Sequence, residues 1–161
     1  MARRVQISVI GAGSSATAEA LLRDAESVGR GIAEADAVLI CGGMSGVMEA
    51  ASRGAAGAGG TVIGVVPTTE PDDANQYVTH VIATGIGHAR NLAVVASADA
   101  VIAIGGEWGT LSEIAFARRL ERPVVAIRSW SLDERPELEA GITQTEAPEE
   151  AVEAALGAVE G

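Results

Sequence analysis

The chain reads as a three-layer α/β/α domain on a doubly wound, mostly parallel sheet of six to seven strands. Three observations lead there. Short β-branched apolar runs alternate with longer Ala-rich stretches of helical spacing, the βαβα rhythm of such domains. The runs are apolar at nearly every position, so both faces of each strand need cover, as in a parallel sheet between two helical layers. Finally, one strand–turn–helix unit occurs twice: residues 35–46, ADAVLICGGMSG, return at 98–109 as ADAVIAIGGEWG. At 161 residues, a single domain spanning 1–161 is the simplest organisation.

Each element follows from its own residues. Val5 to Ile10 is the first strand, ending in Gly11-Ala12-Gly13-Ser14-Ser15. Thr17 to Ala35 is a helix, with Leu21, Leu22, Ala25 and Val28 recurring on one face. Val38 to Cys41 is the second strand and Gly46 to Ala56 its helix, closed by the glycines between 54 and 60. Thr61 to Val66 is the third strand, stopped by Pro67, and a polar loop from Glu70 to Gln76 follows. Val78 to Ala83 is the fourth, and after Thr84-Gly85-Ile86-Gly87 a helix runs from His88 to about Ser97. Val101 to Ile104 is the fifth strand, with its helix from Thr110 to Leu120. Pro123 to Ile127 is the sixth and Ile142 to Thr145 a candidate seventh, before an acidic helix from Pro148 to about Val159.

Right-handed crossovers arrange these strands most simply as 3-2-1-4-5-6, with the seventh beyond. The winding then reverses between strands 1 and 4, where such sheets bind ligands at their carboxyl ends. Strands 2 and 5 flank that pair, so both GGxxG turns are expected to open onto one crevice. A glycine turn leading into a helix presents free backbone N–H groups and the positive end of the helix dipole. The expected guest is a phosphorylated or otherwise anionic small molecule.

Composition removes several function classes. A net charge of −11 argues against binding nucleic acid through its phosphates and against an anionic membrane surface. No apolar stretch reaches the ~18 residues of a spanning helix, and no leader is evident. The lone Cys41 excludes an internal disulfide and fits a reducing cytosol, its simplest role being a small core residue. Two distant histidines, His80 and His88, with one cysteine make a metal cluster unexpected. All 11 basic residues are arginine. Without lysine there is no Schiff-base amine for pyridoxal phosphate and no Walker-type phosphate lysine.

Candidate site residues lie at the strand ends. In the first turn Gly11, Gly13 and Ser14 follow a strand, but the third glycine of a dinucleotide fingerprint is missing and no acid closes strand 2. Ser14 and Ser15 suit either phosphate contacts or a helix cap. Gly42, Gly43 and Gly46 form the second turn; Gly105, Gly106, Trp108, Gly109 and Thr110 form the third. Thr110-x-x-Glu113 before an apolar run also reads as a capping box, and Glu113 as a functional carboxylate. Arg90 and Asn91 open a helix, where a cation opposes the dipole unless an anion faces it, so Arg90 is a candidate anion clamp. His88 suits a surface or cap position or a ligand contact. Trp108 suits a ligand platform or an interface.

These residues together resemble the LOG-type family of cytokinin riboside 5′-monophosphate phosphoribohydrolases, long mislabelled lysine decarboxylases, and within it the short branch that includes molybdenum-cofactor carrier proteins. The resemblance runs from about Val5 to Ile127. Gly42 to Ala50 is similar to the branch's first glycine turn; the family's PGGxGTxxE pattern aligns with Gly105 to Glu113, and its catalytic arginine with Arg90. Gly105 stands in place of the motif's proline and Glu107 in place of its second glycine.

The resemblance implies a Rossmann-like homodimer or homotetramer that binds a nucleotide, with no cofactor required. In active members the residues matching Glu113 and Arg90 assist cleavage of an N-glycosidic bond. Glu113 would stabilise or deprotonate the attacking water, Arg90 would orient the substrate, and the glycine turns would hold the 5′-phosphate. Two readings follow: a phosphoribohydrolase acting at the strand 1/strand 4 crevice, or a non-catalytic carrier of molybdenum cofactor or a related ligand. The co-occurrence of Arg90 and Glu113 with the glycine turns motivates the first, the leading reading of a protein binding a phosphorylated nucleotide or similar anionic metabolite; Glu107 in the cradle and the short-branch likeness motivate the carrier as the alternative. Ala/Gly-rich helices, able to pack closely, fit the expected oligomer.

Overall fold

The computed structural model describes residues 3–132 and 135–161. One sheet of seven strands, all parallel, runs through the molecule: β1 (Gln6–Gly11), β2 (Val38–Cys41), β3 (Val62–Val66), β4 (His80–Ala83), β5 (Ala100–Ile104), β6 (Val124–Ile127) and β7 (Ile142–Thr145). Helices α1 (Glu19–Glu34), α2 (Val47–Gly57) and α6 (Pro148–Glu160) cover one face, where Val28, Ile32, Ala51 and Val152 close over Ile7, Leu39 and Ile102. Helices α3 (Arg90–Ala96) and α4 (Trp108–Arg119) cover the other, packing Val94, Val95, Ile114 and Ala117 on Ile40, Val65 and Val101. A short α5 (Pro136–Glu139) precedes β7. The fold is the expected Rossmann-like three-layer sandwich.

Strand order differs from the expectation at one place. The sheet runs β4-β3-β2-β1-β5-β6-β7, so the fourth strand sits at an edge beside β3 and β5 pairs with β1. The physical reason lies in the side chains. β5 is buried at all five positions, whereas β4 exposes His80 and Ile82 on one face. A strand with a wet face is stable at an edge and costly at the centre. The switch in winding therefore falls between β1 and β5, and the crevice lies there rather than between strands 1 and 4. The two repeated units now flank β1 directly.

Polar clamps tie the other end of the sheet. Arg3 grips Asp99 at 2.7 Å, the carboxylate also accepts the Gln6 amide, and Asp99 is thereby held below the usual carboxylate range. Helices α1 and α2 pack backbone against backbone: a Cβ on Gly54 would strike the carbonyl of Glu26, and one on Gly29 the carbonyl of Ala51.

Candidate functional site

At the carboxyl ends of β1 and β5 lies a cavity of about 140 Å³. Its walls are the first turn (Gly11, Ala12, Gly13), Gly42 and Met48 from the second unit, His88, Arg90 and Asn91 at the start of α3, and Glu107, Gly109, Thr110 and Glu113 around the start of α4. Val9 and Ile10 contribute from β1.

The chemistry concentrates in two buried charges. Arg90 is 9 % exposed and Glu113 is 7 % exposed. One Arg90 Nη1–H donates to Asn91 Oδ1 at 2.8 Å, while the buried Nε has no hydrogen-bond partner among the described residues. Burial lowers the Arg90 pKa from its ordinary value, with Glu113 pulling it back up. Burial lifts the Glu113 carboxyl to about 7, only partly offset by the Arg90 charge. A guanidinium held short of partners in a cleft is ready for an anion, because an unmet buried donor is unfavourable.

Gly42 makes this arrangement possible. A Cβ there would overlap the Arg90 guanidinium and the Met48 sulfur, so only glycine lets the cation lie across the turn. Beneath the turn, Cys41 is fully buried, its Sγ 3.4 Å from Ser52 Oγ, and burial pushes the thiol up. This is a core thiol rather than a reactive one. The turn is held from the side by Asn75, whose amide side chain donates to the carbonyls of Gly43 and Met44 at 3.2 and 3.0 Å.

Of the residues singled out in the sequence, Gly11, Gly13, Gly42, Arg90, Asn91, Gly109, Thr110 and Glu113 line this one cavity. Ser14 and Gly46 line a neighbouring pocket with Ser15, Ser45 and Arg53 instead. Gly43 backs onto β3 against Val66, and Gly105 packs on Leu21, so both shape turns behind the cavity. Gly106 sits at φ +119° over Thr110. Trp108 is 77 % exposed and stacks on Trp130, ring centroids 5.5 Å apart.

The capping box does not form. Helix α4 begins two residues earlier than expected, with Glu107 at its N-cap and no side-chain cap bond. Thr110 and Glu113 are thus inside the helix and face inward. The sequence alone does not mark Met48, Ala12 or Asn75 as site residues. Met48 and Ala12 carry no chemical signature, and Asn75 lies in a loop without periodicity. Among the described residues no group of three or more His, Cys, Asp or Glu could hold a metal ion, and no helix is long and apolar enough to cross a membrane.

The SLOG cluster4 family profile matches residues 4–153. An uncharacterized protein of Archaeoglobus fulgidus is 43 % identical over 148 residues, 92 % of either chain. A cytokinin riboside 5′-monophosphate phosphoribohydrolase of Rhodococcoides fascians is 36 % identical over 93 residues, 55 % of this chain and 47 % of that one. Among solved structures, the molybdenum cofactor binding protein of Rippkaea orientalis superposes with a TM-score of 0.89 at 34 % identity, covering 96 % of this chain and 97 % of its own. The molybdenum cofactor carrier protein of Chlamydomonas reinhardtii gives 0.87 at 30 % identity, covering 99 % and 100 %.

Proposed function

Because the chain belongs to the SLOG cluster4 family, we propose that it is a binding protein for a phosphorylated, anionic small molecule, best matched by molybdenum cofactor, held in the β1/β5 cleft of a cytosolic homo-oligomer. The observation that carries the reading is Arg90: a buried guanidinium whose Nε has no partner among the described residues, lining the cleft beside Gly11, Gly13, Gly42 and Gly109. Full-length likeness to molybdenum-cofactor binding and carrier proteins supports the choice of ligand. In this reading Arg90 pairs with the anionic group, Gly11, Gly13, Gly42, Gly109 and Thr110 line its seat, and Asn91 fixes the guanidinium.

Incubating purified protein anaerobically with free molybdenum cofactor and measuring what is retained after gel filtration tests it. Retention is expected in wild type. Arg90→Ala should weaken binding by about 1–3 kcal/mol, roughly fivefold to 150-fold, as a lost charge-assisted bond. No retention by wild type, or none lost in the variant, overturns the reading.

One observation favours a second reading. A carboxyl lifted to about 7 beside a cation is poised for acid–base work, and the Rhodococcoides fascians relative is named for nucleotide hydrolysis. Here Glu113 would activate water and Arg90 would orient a nucleoside 5′-monophosphate. Release of free base from a panel of such nucleotides, abolished by Glu113→Gln, would establish it; no release from any of them dismisses it.

A further inference from the structure

Building on the anion-binding reading above, we propose that Glu113 determines which anions the cleft admits and when, because above neutral pH each anion enters together with one proton that Glu113 takes up. Among the described residues the cleft holds one buried cation, Arg90 at the start of α3, and one buried carboxylate, Glu113 on the second turn of α4. Arg90 is the only charged residue of α3. Strands β1, β5 and β6, against which α4 packs, bring no ionisable side chain to Glu113. On α4 itself, Arg118 and Arg119 stand at the far end. β2 supplies the buried Cys41 thiol, and the rim carries His88 and Glu107, both exposed. Among the described residues Glu113 therefore answers to Arg90 and to no second buried cation.

With Glu113 ionised, the interior of the cleft is neutral overall. An anion entering a cavity of about 140 Å³ would then sit close to a carboxylate shielded from water. Protonation removes that repulsion, leaves the whole Arg90 charge to the guest and adds an O–H donor. The balance is simple: free anion, Glu113 carboxylate and one solvent proton give bound anion beside Glu113 carboxylic acid, with no bond of the ligand broken. Burial already holds the carboxyl at about 7, so the proton is available near neutrality. The cleft should accordingly favour guests that arrive at mildly acid pH or bring a proton of their own, such as a phosphate monoester monoanion.

Calorimetry on the full chain tests this with inorganic sulfate and inorganic phosphate, each in two buffers of different ionisation heat. Sulfate brings no proton at neutral pH, so any uptake belongs to the protein. We expect about one proton per sulfate well above pH 7, and affinity falling about tenfold per pH unit there. In Glu113→Gln both the uptake and the slope should vanish, with affinity at about pH 8 matching wild type at about pH 6. Should that variant not fold, the wild-type proton count decides alone. An unchanged slope in the variant, loss of its binding at every pH, or Arg90-dependent binding without proton uptake overturns this inference while the anion reading stands. Failure of both ions to bind wild type at any pH removes the anion reading and this inference with it.

Discussion

Glu113 is the residue at which stability and chemistry are most tightly linked. Its folded carboxyl titrates at about 7 against an ordinary 4.5, so between those values the folded chain holds a proton that the unfolded chain has released. Stability is therefore greatest below pH 4.5 with respect to this group and falls as pH rises through 7, by about 3 kcal/mol in all. Glu113→Gln should remove that fall: melting temperatures of variant and wild type should coincide near pH 4.5 and diverge in the variant's favour at pH 8. A parallel pair of pH profiles would show that the carboxyl is ionised without penalty. The motif spacing made Arg90 and Glu113 legible in the sequence. Their burial was not, because a Thr-x-x-Glu pattern looks the same at a helix cap and one turn inside the helix, and only the start of α4 at Trp108 decides between them.

Among the elements, the close crossing of α1 and α2 sets how the first two glycine turns approach each other. Gly54→Ala must push its methyl into the Glu26 carbonyl, which cannot move without shifting a helix, and should destabilise by about 1–3 kcal/mol. Gly57→Ala, in the same helix but with nothing near its Cβ, should instead stabilise by about 0.5–1 kcal/mol. Urea midpoints of the two variants measure the contrast, and equal effects would argue against a tight crossing. Strand content was readable from apolar runs, and so was the pairing of the two repeats around one cleft. The simplest winding order misplaces β4 because it treats all strands alike. The alternation of His80, Val81, Ile82 and Ala83, exposed on one side and half-buried on the other, carries the correction.

For the whole molecule, charge is unevenly spread. Helix α1 bears Glu19, Asp24, Glu26 and Glu34, and α6 bears Glu149, Glu150, Glu153 and Glu160. The opposite layer is nearly free of acid: α3 has none and α4 only the buried Glu113, while Leu92 and Phe116 are exposed on them. In a chain of net charge −11, that is the layer on which two copies can approach without repulsion. Leu92→Glu with Phe116→Glu should convert the proposed oligomer to monomer by light scattering; a wild-type monomer would refute the assembly. The depth of Arg90 has a kinetic corollary. A guest anion meets an unfavourable field from exposed carboxylates while it diffuses, and a favourable one only after it has entered. Salt screens the outer charges over a Debye length of ~8–10 Å and hardly reaches the guanidinium. Raising ionic strength from about 20 to about 200 mM should thus speed capture and leave escape almost unaltered, so that stopped-flow traces show affinity improving with salt until dissolved ions compete for the seat.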